Sequence, residues 1–388
     1  MDYYNLKLKK TFVFSALMVL LILILIEITA VIIEKIKASR DVWMVSPAIK
    51  KQPYGEEYYK DVLDYNWKKE YEKFVAFKET EYKSKTININ KKGIRKTHGN
   101  CVKPDAKLVF TFGGSTTLGV AVPDSMTYPS YLAKKLNNDA GCFKVVNYGT
   151  GWWMSSQSHN KFSELLRHGV VPDIAIFYEG INDLDVVSYG GEPGGIAPYA
   201  ARLLSRSFDT IQTKSFFDKI KKSLKTFLSV TATYRLMVAY YYGKKYSKSD
   251  ANQKKIIDDE YLKKKAEEVS NIFVENMLQN HDIGIRHKVK VITSLQPFPL
   301  ISKKKLTDDE RKSIDERLAI RGWEGRFIKI TYDKISKKSN QFGKRCFYDM
   351  SKVLDDTETE VFAEGEHLLP KGNEIIAESF YEKILACR

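Results

Sequence analysis

The stretch VFTFGGSTTLG, residues 109–119, decides the fold: a run of apolar and β-branched residues passes straight into two glycines, Ser115 and two threonines. Such a run reads as a buried strand ending in a tight turn, with Ser115 at the head of the next helix. Apolar runs of strand length occur at 108–112, 144–147, 173–178, 289–295 and 346–350. Helical periodicity marks 128–136, 156–168, 258–279, 307–320 and 372–385. The segment from Thr307 begins TDDE, a capping box in which Thr307 and Glu310 satisfy the first orphan amides. Strands alternating with helices predict an α/β fold, a three-layer α/β/α arrangement around a parallel sheet. Ligands of such sheets lie outside the carboxyl ends of the strands. Chemistry is therefore expected in GGSTTLG, YGTGWW, EGINDL, QPFP and AEGEHLLPKGN, the loops that follow the successive strands.

The 388 residues, 43% hydrophobic, suffice for one large domain or two modest ones. The formal charge of +15 points toward nucleic acid, anionic lipid or an acidic polymer. Lys, Asn and Ile are abundant throughout, however, and zinc-type spacing, a phosphate-binding Gly-Lys-Ser/Thr loop and an aromatic RNA-binding signature are missing from the sequence. Nucleic acid is not an expected partner, and no metal or organic cofactor is implied.

Residues 12–33 are apolar except for Ser15, Glu27 and Thr29. As a helix they would reach roughly 33 Å, enough to cross a bilayer. A cleavable signal peptide has a shorter apolar core and a small-residue cleavage site, so the reading is an uncleaved signal anchor. Lys7, Lys9 and Lys10 favour a cytoplasmic N-terminus, against Lys35, Lys37 and Arg40 on the other side. The expected division is a cytoplasmic N-terminus (1–10), a transmembrane anchor (11–33), a lead-in (34–100) and a catalytic domain (101–388) with a helical insertion at 185–257. In the lead-in a helix is expected over 56–77, followed by a short strand and a turn at Gly93. In the insertion, Lys219, Lys221, Lys222 and Lys225 interleave with Phe216, Phe217, Ile220, Leu224, Phe227 and Leu228. That run reads as a helical subdomain or as a lid over the site.

From residue 87 onward the chain resembles the SGNH (GDSL-like) hydrolase superfamily, membrane-anchored bacterial type. Gly113-Gly114-Ser115 resembles the GGST variant of the first block, NYGTGWW the second, Gly180-Ile181-Asn182-Asp183 the third, and Glu364-Gly365-Glu366-His367 the last, where Asp-x-x-His is usual. The resemblance implies a flavodoxin-like fold, Ser115 as nucleophile and His367 as its base. An imidazole titrates near neutral pH, as that role requires. Glu364 would orient the imidazole, with Asp349 and Glu366 as further candidates. The oxyanion donors implied are the Ser115 amide, a second-block glycine amide and the Asn182 side chain. Counted from Asn147 the usual glycine position falls at Trp152, and Gly151 is preferred over Gly149. Gly114, Trp152, Trp153 and Asp183 are candidates to line the substrate.

Taken singly, Ser115, Asn182 and Asp183 also read as helix caps or turn formers, and His367 as a loop histidine. The α/β-hydrolase alternative lacks its G-x-S-x-G elbow. Cys101 and Cys142 each precede a strand, Cys346 begins one, and Cys387 ends a helix running back to the same sheet edge. Pairing Cys101 with Cys142 and Cys346 with Cys387 would suit an extracytoplasmic domain. The expected activity is an esterase or O-acyltransferase acting on O-acyl, above all O-acetyl, esters of envelope or secreted glycans. The alternatives are a lipid esterase or lysophospholipase, and a catalytically silent glycan-binding or scaffold protein.

Overall fold

The computed structural model describes residues 2–40, 46–196, 231–234, 236, 237, 240 and 257–387. The chain divides into two compact units, 1–43 with 209–256, and 44–208 with 257–388. The expected amphipathic run of the insertion lies outside the described residues. In the first unit, helix α1 (Asp2–Arg40) contains the apolar stretch Phe12–Ile33, of mean hydropathy 3.1, long and apolar enough to cross a membrane. The side chains of Phe12–Ile33 are exposed all round, save half-buried Glu27 and buried Ala30.

The second unit opens with α2 (Pro47–Lys50) and α3 (Gly55–Tyr65). The helix expected over 56–77 ends at Tyr65, because Asn66 and Trp67 adopt left-handed backbone with φ of 49° and 43°. Beyond them the chain forms an antiparallel hairpin, β1 (Lys69–Glu72) with β2 (Ala76–Glu79). Alternation explains the change: Phe77 and Glu79 turn inward while Lys78 stays partly exposed. A short pair, β3 (Tyr82–Lys83) with β4 (Asn88–Ile89), follows, and Arg95 then bridges to Asn147 at the end of a sheet strand. The part of the lead-in from residue 44 onward thus belongs to the same unit as the sheet.

Five parallel strands form the sheet: β5 (Lys107–Gly113), β6 (Phe143–Asn147), β7 (Ile174–Glu179), β8 (Lys290–Leu295) and β9 (Cys346–Asp349), in the order β6-β5-β7-β8-β9. In this doubly wound arrangement the strand order reverses beside β5, and the crevice there is the ligand position of such sheets. The helices of the unit continue as α4 (Ser115–Leu118), α5 (Tyr128–Asp139), α6 (Ser155–Arg167), α7 (Ile181–Ser188), α8 (Asp259–His287), α9 (Asp308–Ile320) and α10 (Glu324–Lys337). A hairpin, β10 (Phe362–Glu364) with β11 (His367–Leu368), precedes the last helix, α11 (Pro370–Ala386).

Alternate residues of β5 feed two cores. Phe110 and Phe112 pack with Phe162 of α6, Phe273 of α8 and Phe327 of α10, whereas Val109 packs with Leu132 of α5 and Phe380 of α11. Truncating any such buried phenylalanine would cost about 3–5 kcal/mol. Disulfides join Cys101 to Cys142 and Cys346 to Cys387, with Cα separations of 5.4 Å and 5.8 Å. Cys142 directly precedes β6 and Cys346 opens β9, so each bridge fastens one edge strand at its amino end.

Candidate active site

Strand β5 delivers the turn that carries Ser115, and its two glycines are dictated by close approach. A Cβ on Gly113 would lie 2.2 Å from Thr117 Oγ1, and one on Gly114 would lie 2.0 Å from Asn182 Nδ2. The Asn182 amide thus fills the space that a side chain at Gly114 would need. Ser115 opens α4, where Gly114 is the cap residue, so its hydroxyl does not cap the helix. Its Oγ instead lies 2.8 Å from Nε2 of His367, with both residues almost buried.

The far end of α4 is held by Arg95, which is completely buried. Its guanidinium donates to the carbonyls of Leu118 (2.9 Å), Gly119 (2.6 Å) and Val122 (2.7 Å) and, through Nε, to Asp124 Oδ1 (2.8 Å). Asp124 also accepts from the backbone N and the Nδ2 of Asn88. One buried positive and one buried negative charge thus meet five carbonyl and amide groups around the turn that carries Ser115.

His367 comes from the β10/β11 hairpin, where it pairs directly across from Glu364. The turn between them is Gly365-Glu366, and Gly365 supplies the positive φ, 47°, that a two-residue hairpin turn requires. Glu364 and His367 are therefore cross-strand neighbours, a spacing that a Glu side chain can span. Glu364 Oε1 lies 3.8 Å from His367 Nδ1, an ion-pair separation. Glu366 Oε1 lies 3.9 Å from Nε2, on the serine side of the ring. Asp349 accepts from Ser336 Oγ and from the Ser351 amide, so its carboxylate is engaged elsewhere.

Burial works against the His367 cation, but the hydrogen-bonding contribution of Glu364 and the charges of Glu366 and Glu364 outweigh it, leaving the imidazole above its ordinary 6.5 despite Arg317. Burial likewise pushes Glu364 upward, against the influence of His367.

Helix α9 grips this hairpin at two points. Near its start, Glu310 forms the capping box with Thr307 and extends it: Oε1 accepts from the amides of Val361 (2.9 Å) and Phe362 (3.0 Å), and Oε2 from Lys304 Nζ (2.7 Å). Burial opposes this charge, yet Lys304 and the three amides win and hold the carboxyl below its usual range. Near its end, Arg317 binds three largely buried carboxylates: Asp185 at 2.5 Å, Glu324 at 2.8 Å and Glu366 at 3.1 Å. Its guanidinium also lies over the Phe298 ring. Burial raises Asp185, and Glu366 and Glu324 add to the shift against the pull of Arg317.

Asn182 stands at the first turn of α7, directly after β7. Its Nδ2 donates to the Trp153 carbonyl at 2.7 Å, and an amide nitrogen carries a second hydrogen. Gly151 does not supply the expected backbone donor. Its amide donates to Glu79 Oε1 at 2.9 Å, and Glu79 is itself held by Lys69 and by the Tyr65 hydroxyl. The Gly149 amide is likewise engaged, by Asn147 Oδ1. Trp152, at the position counted from Asn147, has φ of 70°, the left-handed backbone that glycine adopts without penalty.

Two further lining candidates are corrected by burial. Trp153 packs with Val75 and Phe77 and donates Nε1 to the Phe77 carbonyl. Asp183 is buried against Ser155, accepting from its amide (3.1 Å) and hydroxyl (2.5 Å), and thereby fastens α6 to α7. Burial raises Asp183 to about 6, with Ser155 opposing. Trp152 stays partly exposed, edge-on to Tyr189 at 5.4 Å.

Strand order and the four sequence blocks, each following the carboxyl end of a strand or lying in the last hairpin, agree. The fold is SGNH-like. Among solved structures the chain is similar to a lipolytic G-D-S-L family protein from Veillonella parvula DSM 2008 (13% identity, TM-score 0.38, covering 71% of this chain and 97% of that one). It is also similar to a GDSL-like lipase from Bacteroides thetaiotaomicron VPI-5482 (12%, 0.36, 73% and 89%). A variant of an acetyl xylan esterase from Geobacillus stearothermophilus gives 13%, 0.34, 74% and 95%. No protein-family model matches the chain, and no curated protein matches it significantly. Among the described residues, no group of three or more His, Cys, Asp or Glu side chains could hold a metal.

Arg95, Asp124, Glu79, Glu310, Arg317 and Asp185 all serve the site without having been singled out from sequence as site residues. Glu310 alone carried a signal, the capping box, and that signal spoke only of its own helix.

Proposed function

We propose that the chain is a serine-dependent ester hydrolase or O-acyltransferase that works through an acyl-Ser115 intermediate. The observation that carries this reading is the 2.8 Å contact of Ser115 Oγ with His367 Nε2. His367 takes the hydroxyl proton as Oγ attacks the ester carbonyl, and Glu364 stabilises the imidazolium. The oxyanion is received by the second Asn182 hydrogen and by the Ser115 amide, which as the first amide of a helix has no intrahelical acceptor. The left-handed backbone at Trp152 makes its amide the candidate third donor. Each donor is worth about 3 kcal/mol to the transition state. Collapse expels the alcohol, protonated by His367, and water or a sugar hydroxyl then takes the acyl group from Ser115.

The favoured substrates are O-acetyl esters of envelope or secreted glycans. Two features support this context: the apolar stretch Phe12–Ile33 suits a single-pass anchor in the cytoplasmic membrane, and paired cysteines suit a catalytic domain outside the cytoplasm. The test uses the full chain in detergent, offered an aryl acetate and then acetylated glycans with and without an acceptor sugar. Turnover should be abolished by Ser115→Ala and by His367→Ala with the fold intact. Released acetate identifies a hydrolase and transferred acetate a transferase. Failure both to turn over ester and to react with a serine-directed phosphonate at Ser115 would leave a silent glycan-binding protein instead.

A further inference from the structure

The apolar stretch Phe12–Ile33 contains one ionisable residue, Glu27. A carboxylate facing hydrocarbon is costly, and such residues pair with other groups inside the membrane. Glu27 does so within its own unit. Its carboxylate accepts from the backbone amide of Ala232, from the amide of Thr233 (3.2 Å) and from the Thr233 hydroxyl (2.7 Å). Residues 232–234, 236, 237 and 240 are helical, and the amides bound by Glu27 are those at the start of this helical stretch. A helix start inside a bilayer has no water to satisfy it, so a carboxylate from the neighbouring helix replaces the solvent. Buried Ala232 and buried Ala30 supply the small side chains that close approach between helices requires.

Beyond Glu27 the contact is apolar. Leu236 and Met237 face Ile22, Leu25 and Ile26 across an open cleft, while Met237 and Tyr240 are 66% and 67% exposed. Water would make such a cleft and such exposed side chains unfavourable, whereas acyl chains solvate both.

We propose that the helical residues of 232–240 are embedded in the bilayer beside α1, held there by Glu27, and that lipid acyl chains fill the cleft between the two. This inference rests on the reading of Phe12–Ile33 as a membrane span. It makes the insertion a second membrane contact of the chain.

The test uses the full chain in phosphatidylcholine vesicles, with Met237→Cys and, separately, Leu21→Cys carrying a nitroxide; the native cysteines are all in disulfides. Both labels should be accessible to oxygen and protected from a water-soluble nickel chelate. Adding Glu27→Leu should remove the protection at 237 and leave that at 21 intact. Nickel access at 237 with protection at 21 would overturn the inference and spare the anchor. Nickel access at both would overturn the anchor reading as well. Crosslinked 237–237 dimers would replace lipid with a second copy of the chain as the occupant, also overturning the proposal.

Discussion

The two halves of the Ser115–His367 pair are mounted in different ways. Ser115 is held by shape and by backbone groups: glycines that admit no Cβ, and a single Arg95–Asp124 pair saturated by carbonyls and amides. His367 is held by charge, between Glu310 with its Lys304 partner and Arg317 with its three carboxylates. The first mount fixes position, and the second also shifts the proton affinity of the His367 imidazole. The serine side should therefore respond to mutation through stability, and the histidine side through pH.

The largest expected effect breaks the serine mount. Arg95→Met leaves Asp124 charged and buried, which should cost about 3–5 kcal/mol in urea unfolding. Next is Glu364→Gln, which removes the leading support of the imidazolium. The kcat should fall by about 10²-fold or more, and the acid limb of kcat/KM should move to lower pH, since the raised His367 value falls. Arg317→Met should move the same limb the other way, because Arg317 disfavours the imidazolium. Its stability cost should be smaller than that of Arg95→Met, since Asp185 is already raised and readily takes a proton. An unchanged limb in both variants would dissolve the contrast between the mounts.

The smallest effect is a pH dependence of stability with two parts. Glu310 is depressed, so its contribution is present above the ordinary carboxylate value of about 4.5 and is lost as pH falls through its folded value. Asp185 and Glu364 are raised, so acidification through their folded values favours the folded state. Denaturant midpoints should hold or rise slightly from neutral toward about pH 5 and fall below about pH 4. Glu310→Gln should flatten the lower fall.

The centre of the sheet was legible in the sequence because it is buried on both faces: β7, IAIFYE, is buried at every position and reads as an apolar run up to Glu179. The region 56–77 misled because Tyr, Phe and Val recur there at spacings compatible with a helix, while the left-handed turn at Asn66 and Trp67 has no glycine to announce it. The four blocks were legible because each needs a particular residue type, three of them at sheet-strand ends and the last in the β10/β11 hairpin. Their supports were not: Arg95 and Arg317 are two among 63 basic residues, and only the fold separates them from solvated lysines. Gly151 was preferred on residue type, whereas the backbone puts the glycine-like conformation on Trp152, anchored by ring contacts that no local pattern reveals.

The connectivity of the disulfides carries a consequence for how the chain matures. Four cysteines permit three pairings, but the two bridges here, 101–142 and 346–387, are consecutive and neither enclose nor cross one another. In a chain delivered amino end first to an oxidant, Cys101 meets Cys142 before the later pair has emerged. The earliest linkage that can form is then the native one, and the second pair inherits the only thiols left. Under such delivery the order of emergence by itself selects the native pairs, and oxidation without isomerisation suffices.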